Sequence, residues 1–185
     1  MSYPKDVVLK NKKRVVLRPF QAGDEDLLKQ FYGSFPDRER WFIPYDMMKP
    51  ELQCRWSEEP GVECLYSIVA FCEDRLVAHA NLHVGGKGHY TSHVGRVLIK
   101  VQPSFRQQRL GTWMILDLIK LAMEKELGVL RVDLVVGIDD ATIDGLLKFD
   151  FKKEATLPAY ALDPEGRCYD LLIMIKHLHK DFGDF

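Results

Sequence analysis

The architecture of this chain is indicated by residues 97–115, VLIKVQPSFRQQRLGTWMI. An apolar strand there passes through a short loop at Pro103 directly into a helix whose apolar residues recur at helical spacing. The first N–H groups of a helix have no partner within it, and the helix dipole places partial positive charge there. Arg106 and Arg109 add charge, and Gly111 lets the backbone approach a ligand. The stretch predicts a phosphate-type anion site, with a solvated basic turn and a packing glycine as the alternative.

The flanking sequence predicts alternating strands and helices. Alternating or wholly apolar runs predict strands at residues 14–20, 64–71, 76–84, 90–101, 130–136, 151–157 and 169–175. Helical periodicity predicts helices at residues 24–33, after Pro103 and near 140–148. With no repeat or linker, this order predicts one α+β domain over residues 14–178, built on a central, mixed but mostly antiparallel sheet flanked by helices. Residues 1–13 are expected to be a polar lead and residues 179–185 a C-terminal tail.

The composition excludes several classes of protein. The chain has 185 residues, 46% of them hydrophobic, with 26 basic against 27 acidic side chains. This balance argues against a general nucleic-acid or anionic-membrane binder, and no apolar run approaches the ~20 residues that span a bilayer. The four cysteines show no metal-ligand or disulfide-ladder spacing, so we expect them to be reduced. We therefore expect a cytoplasmic protein without nucleic-acid or membrane partners, and leave a homodimer open.

The loop motif resembles a known family. The pattern Val101-x-Pro103-x-Phe105-Arg106-x-x-Arg109-Leu110-Gly111-Thr112 is similar to the acyl-CoA loop of the GNAT superfamily of N-acetyltransferases. Further similarity lies in Leu17-Arg18-Pro19, His93-Val94-Gly95, residues 139–151 and Gly166-x-x-Tyr169-x-x-x-x-Met174. The resemblance covers residues 14–178 and is nearest to the branch that acetylates protein lysines.

The resemblance implies a fold, a co-substrate and a reaction. The fourth and fifth strands are expected to splay apart around acetyl-CoA or another acyl-CoA. The residues expected to bind it are Ile99, Lys100, Val101, Arg106, Gln107, Gln108, Arg109, Leu110, Gly111, Thr112 and Asp139. The activity implied is direct attack on the thioester by a primary amine, either a protein lysine or a small molecule.

Several residues depart from the family pattern at functional positions. Arg109 replaces the first glycine of the loop, and Asp150 replaces another glycine. Arg96 stands where many relatives carry a glutamate base, and Leu146 where a tyrosine often protonates the thiolate. Two alternatives therefore stay open. One is a catalytically degenerate sensor or interaction module that binds CoA or acyl-CoA, and the other is a site for a different phosphate ligand.

Proton transfer then requires other side chains. Asp133, Tyr160, Tyr169 and His93 are the candidates, each with an ordinary structural role as its alternative. A hairpin centred on Gly86 would place His83 opposite His89 and His79 opposite His93. Histidines four residues apart on a strand are ~13 Å from each other, so no metal site is predicted.

Overall fold

A mixed β-sheet forms the centre of the fold. The computed structural model describes residues 3–44, 53, 63–85 and 88–178. Within these ranges the strands are β1 (Lys5–Val8), β2 (Arg14–Pro19), β3 (Glu63–Cys72), β4 (Arg75–Gly85), β5 (Val94–Val101), β6 (Val129–Val135), β7 (Lys152–Leu162) and β8 (Cys168–His177). The helices are α1 (Glu25–Gly33), α2 (Asp37–Trp41), α3 (Leu110–Glu124) and α4 (Asp140–Leu147), with a 3₁₀ turn at Pro103–Phe105.

The strand order is β1-β2-β3-β4-β5-β6-β8-β7, and each neighbouring pair is antiparallel except β5 with β6. The predicted single α+β domain with a mixed, mostly antiparallel sheet is therefore confirmed.

The parallel pair β5 and β6 opens into a wedge. Their paired residues are Val94 with Val129, Gly95 with Leu130 and Arg96 with Arg131. Beyond Arg96, β5 stays paired with β4 as far as Val101, and β6 stays paired with β8 as far as Val135. The two strands diverge from there, which confirms the predicted splayed pair. It is the fifth and sixth strands that splay, because β1 adds one strand at the N-terminal edge.

Helices cover both faces of the sheet. One face packs against α3 and α4 through the buried side chains Leu110, Met114, Ile115, Leu118, Leu121, Ile143 and Leu146. The other face packs against α1, where Leu28, Phe31 and Tyr32 meet Leu65, Val69 and Leu98. Glu25 and Asp26 in the first turn of α1 complement the positive end of its dipole. The strands of the wedge are thus held between two apolar layers.

The N-terminal residues differ from the expected polar lead. Residues 5–8 form β1, which pairs with β2, and Val7 and Leu9 are buried in the main core. Asp117, a buried carboxylate on α3, accepts hydrogen bonds from Tyr3 Oη at 2.7 Å and from Lys5 Nζ. Apolar residues two positions apart suit a strand with one buried face. The sequence analysis did not recognise this alternation because four lysines surround the apolar residues. The β1–β2 hairpin is therefore part of the domain.

The connection between β4 and β5 is longer than predicted. Residues 88–93 form turns, and β5 begins at Val94 instead of at residue 90. His79 therefore pairs with Lys100, and His83 pairs with Arg96. The expected pairing with His93 and His89 is wrong, because the turn is displaced away from Gly86.

The cysteines also differ in part from expectation. Cys64 is disulfide-bonded, whereas Cys72 and Cys168 are free thiols. The expectation that the cysteines are reduced is thus wrong for Cys64. The expected tail, residues 179–185, lies outside the described residues.

Candidate functional site

A cavity of about 790 Å³ lies where β5 and β6 diverge, between the start of α3 and the inner side of α4. Its lining includes these predicted cofactor residues: Ile99, Lys100, Val101, Arg106, Gln107, Arg109, Leu110, Gly111, Thr112 and Asp139. The remaining predicted residue, Gln108, turns away, and its side-chain Oε1 accepts a hydrogen bond from the Asn11 amide at 3.1 Å. The volume is in the usual range for a small-molecule site. The strand, loop and helix therefore surround one continuous space.

The loop before α3 presents backbone donors to this cavity. Phe105 is buried and anchors the 3₁₀ turn, and α3 then begins at Leu110. The amides of Leu110, Gly111 and Thr112 lie in the first helical turn, and none of them donates a hydrogen bond to another described residue. A Cβ added to Gly111 would meet nothing closer than Val101 Cγ2 at 3.8 Å, so the space above this glycine is open. The arrangement is a cradle for an anion.

Arg109 has a backbone conformation that favours glycine. Its φ of 67° and ψ of 10° are left-handed, and Gln107 has a φ of 58°. Such angles favour glycine, because a Cβ crowds the following carbonyl. The exposed Arg109 side chain lines the cavity and forms no ion pair with another described residue. The departure from the family pattern therefore adds a cation to the cavity at a position whose backbone angles suit glycine.

Arg106 is held by the protein itself. Its guanidinium pairs with both carboxylate oxygens of Glu39 on α2, with Nη1 3.1 Å from Oε1. Its Nε donates to the Val101 carbonyl at 3.0 Å, and its guanidinium carbon lies 6.0 Å from the centre of the Phe35 ring. Arg106 thus ties the loop to β5 and α2, and Glu39 offsets the charge that the sequence suggested for a phosphate.

A buried ion pair crosses the wedge. Lys100 Nζ on β5 donates to Asp139 Oδ1, immediately before α4, at 2.7 Å, and both side chains are about 90% buried. The other carboxylate oxygen, Oδ2, accepts a hydrogen bond from the Val135 amide at 3.1 Å. Each charge is compensated by a close partner, as a buried ion requires. The pair connects the two diverging strands where the cavity begins.

The candidate proton-transfer residues lie away from the cavity lining. Asp133 on β6 binds Arg131 Nε at 2.7 Å and lies 3.9 Å from Arg96 Nη2. Its hydrogen bond is the main reason why the pKa of Arg131 is raised. Tyr160 is 67% exposed. Tyr169 donates its hydroxyl to Asp163 Oδ2 at 3.1 Å.

His93 is exposed and precedes β5, at the end where β5 and β6 are still joined. Leu146 is buried and lines the cavity, so an apolar side chain faces the space where a proton donor was expected. Asp150 has a φ of 60° and so retains the left-handed backbone of a glycine.

A buried polar pair lies beneath α1. The hydroxyl of Tyr32 and Nδ1 of His79 are 2.6 Å apart, and Nε2 of His79 has no hydrogen-bond partner among the described residues. Burial lowers the pKa of His79 to about 3 and raises the pKa of Tyr32. His79 is therefore neutral and Tyr32 protonated near neutral pH.

Some cavity residues were missed by the sequence analysis. Lys10, Glu39, Thr142, Lys148 and Phe149 also line the cavity. The four lysines among residues 5–13 were a visible signal of local charge, although nothing in the sequence indicated what they face. Glu39 gave no such signal, since its partner Arg106 is 67 residues away.

This chain belongs to the GNAT acetyltransferase family, because residues 24–151 match the model of the acetyltransferase (GNAT) family. The predicted membership is thus confirmed. Acyl transfer is the general activity that this membership supports. No curated protein matches the chain in sequence.

Solved structures show the same fold at low sequence identity. A GNAT-family acetyltransferase from Streptococcus pneumoniae is 17% identical with a TM-score of 0.72, over 89% of this chain and 99% of that one. The GNAT domain of S. lividans PAT is 14% identical with a TM-score of 0.70, over 96% and 100%. The ribosomal-protein-S18-alanine N-acetyltransferase from Escherichia coli is 14% identical with a TM-score of 0.66, over 92% and 98%.

Proposed function

We propose that the protein transfers an acetyl or another acyl group from its CoA thioester to a primary amine, on a protein lysine or a small molecule. The observation that carries this proposal is the cavity of about 790 Å³, which runs from the first-turn amides of α3 into the wedge between β5 and β6. An acyl-CoA has a diphosphate, a long amide-bearing arm and a thioester in that order. A charged entrance that leads into a gap between strands suits this order.

The described residues fit the two ends of such a ligand. The amides of Leu110, Gly111 and Thr112 suit the diphosphate because they supply hydrogen-bond donors, and the Arg109 side chain adds positive charge for phosphate to the same cavity. Among the described residues, the side of β5 that faces the wedge has no strand partner beyond Arg96, so residues 99–101 offer backbone groups to the amides of the arm, although the Val101 carbonyl already accepts a hydrogen bond from Arg106 Nε. Ile99 and Leu146 provide apolar walls deeper in the cavity.

The reaction requires one proton to move. As the amine attacks the thioester carbonyl, a C–N bond forms and the C–S bond breaks, while the amine loses a proton and the departing sulfur gains one. Asp133 is the candidate base to test first, since among the four candidates it alone belongs to a strand of the wedge. Its carboxylate oxygens lie 2.7 Å from Arg131 Nε and 3.9 Å from Arg96 Nη2, so an incoming amine would have to approach beside these two guanidinium groups. The remaining candidates for proton transfer, to be tested after Asp133, are Tyr160, Tyr169 and His93.

Two observations favour a second function. Leu146 places an apolar side chain in the cavity, and the Asp133 carboxylate forms ion pairs with Arg131 and Arg96. These features suit a protein that binds CoA or acyl-CoA without turnover, as a sensor or interaction module. The two functions share the ligand and differ only in whether free thiol is released.

Thermal unfolding with and without acetyl-CoA tests the binding. A ligand at a hundred times its dissociation constant stabilises the folded state by about 2.7 kcal/mol. Gly111→Trp should abolish this stabilisation by filling the cradle. Gly33→Trp is the matched control, because a side chain at Gly33 meets open space and this residue does not line the cavity. If acetyl-CoA stabilised Gly111→Trp as much as the unmodified protein, the proposed site would be refuted.

Release of free thiol from acetyl-CoA then tests turnover. The acceptors are a panel of lysine peptides and small amines, and the blank contains no amine. Amine-dependent release supports the transferase, whereas ligand-induced stabilisation without release with any amine supports the sensor.

Location and assembly are further proposals. No helix within residues 3–44, 63–85 and 88–178 is long and apolar enough to cross a membrane. We propose a cytoplasmic protein, and we leave a homodimer to sedimentation analysis. Cys64 forms a disulfide, and disulfides are more common in oxidising compartments. Trapping of the free thiols of this protein in separated cell fractions therefore tests its location.

A further inference from the structure

The hairpin turn between β1 and β2 packs against the loop that begins α3. The amide of Asn11 donates to Gln108 Oε1 at 3.1 Å, and Lys13 Nζ lies 5.2 Å from the centre of the Phe105 ring. Lys10 and Arg109 line the same cavity. Residues 9–13 therefore form part of the wall at the charged entrance.

This entrance carries positive charge that the protein does not neutralise. Arg106 is paired with Glu39. Lys10 and Arg109 are exposed, and neither forms an ion pair with another described residue. Lys148 also lines the cavity, but it follows α4, across the cavity from the loop that begins α3. On the side formed by the hairpin turn and this loop, Lys10 and Arg109 are thus two cations without an ion-pair partner among the described residues.

We propose that Lys10, together with Arg109, binds the 3′-phosphate of the CoA ribose, so that the β1–β2 hairpin selects CoA over 3′-dephospho-CoA. This inference rests on the proposed function, which places the diphosphate on the amides of α3 and the acyl end in the wedge. The nucleotide then lies at the entrance, beside the hairpin. A phosphate monoester carries close to two negative charges near neutral pH, and this dianion is what two neighbouring cations recognise.

Isothermal titration with CoA and 3′-dephospho-CoA tests the inference. We expect the unmodified protein to bind CoA about tenfold more tightly, the amount expected for one charge-assisted contact. In Lys10→Gln we expect CoA affinity to fall towards that of dephospho-CoA, with the remainder of the preference supplied by Arg109, while dephospho-CoA affinity stays unchanged and so reports intact folding. Because Lys10 is exposed, the preference should shrink at high salt.

Lys12→Gln is the matched control. Lys12 lies in the same turn and carries the same charge, yet it does not line the cavity. We expect it to retain the preference for CoA. If Lys12→Gln lost as much of the preference for CoA, the lysines would act only through the overall electrostatic field of the turn, and the inference would be overturned. The inference would also be overturned if the preference for CoA were lost in Lys148→Gln and retained in Lys10→Gln.

The two proposals fail in different ways. If the unmodified protein binds neither ligand, the proposed function is refuted. If it binds both equally well, the cavity accepts CoA but the hairpin does not recognise the 3′-phosphate, and only the present inference is refuted.

Discussion

Replacing Arg109 by glycine should stabilise the free protein and weaken CoA binding at the same time. Arg109 has a φ of 67°. A left-handed conformation costs a residue with a Cβ about 1–2 kcal/mol, and glycine avoids this penalty. Glycine also loses more freedom on folding, by roughly 0.5–1 kcal/mol, which leaves a net gain of about 0.5–1 kcal/mol. For a chain of this length, such a gain corresponds to a rise of about 2 °C in Tm.

The same substitution removes a cation from the cavity. The loss of one charge-assisted contact with phosphate should weaken CoA binding about tenfold. Thermal unfolding of the free protein measures the first effect, and titration calorimetry with CoA measures the second. Opposite signs in the two measurements distinguish this explanation from simple damage to the fold.

Two control variants separate the effect of the backbone conformation on Tm from the effect of the side-chain charge on CoA affinity. Arg109→Ala keeps a Cβ and removes the guanidinium, so CoA binding should weaken without any rise in Tm. Ala159→Gly relieves a φ of 52° at a neutral side chain that does not line the cavity, so Tm should rise while CoA affinity stays constant. A fall in Tm for Arg109→Gly, or an equal rise in Arg109→Ala, would refute the argument from backbone conformation.

Three other substitutions give distinct outcomes. Lys100→Met leaves Asp139 buried without its cation and should lower the free energy of unfolding in urea by about 3–5 kcal/mol. His79→Leu should reduce the loss of stability between pH 7.5 and 4.5 by about 2 kcal/mol. The folded pKa of about 3 lies below the unfolded value of about 6.5, so the unfolded state binds the extra proton in that window and stability rises with pH. Glu39→Gln releases Arg106 and removes a carboxylate from the cavity, and it should raise CoA affinity about threefold in titrations at low salt.

Each of these predictions has a result that contradicts it. If Asp139→Asn does not recover part of the stability lost in Lys100→Met, the ion pair is not the cause of that loss. An unchanged pH profile in His79→Leu would mean that His79 accepts a proton in the folded state. A weaker affinity in Glu39→Gln would show that the carboxylate positions the loop more than it opposes the ligand.

Local patterns in the sequence predicted the strand, loop and helix of residues 97–115, because each of these elements depends on neighbours in the chain. The left-handed backbone at Arg109 was not predicted, since an arginine does not itself indicate such a conformation. The pairing of Arg106 with Glu39 and the contact of Asn11 with Gln108 join distant parts of the chain. No spacing rule indicates contacts of this kind, so the composition of the entrance could not be predicted.

The short pairing of β5 with β6 divides the sheet into two units. Five strands lie on one side of this seam and three on the other, among the residues that the structure describes. Three residue pairs and the Lys100–Asp139 contact join the two groups of strands within the sheet, while one buried core packs against both of them. A bound arm that bridges the strands would complete the missing ladder, so we expect the backbone amides of residues 99 and 101 to exchange hydrogen with solvent more slowly when the ligand is bound.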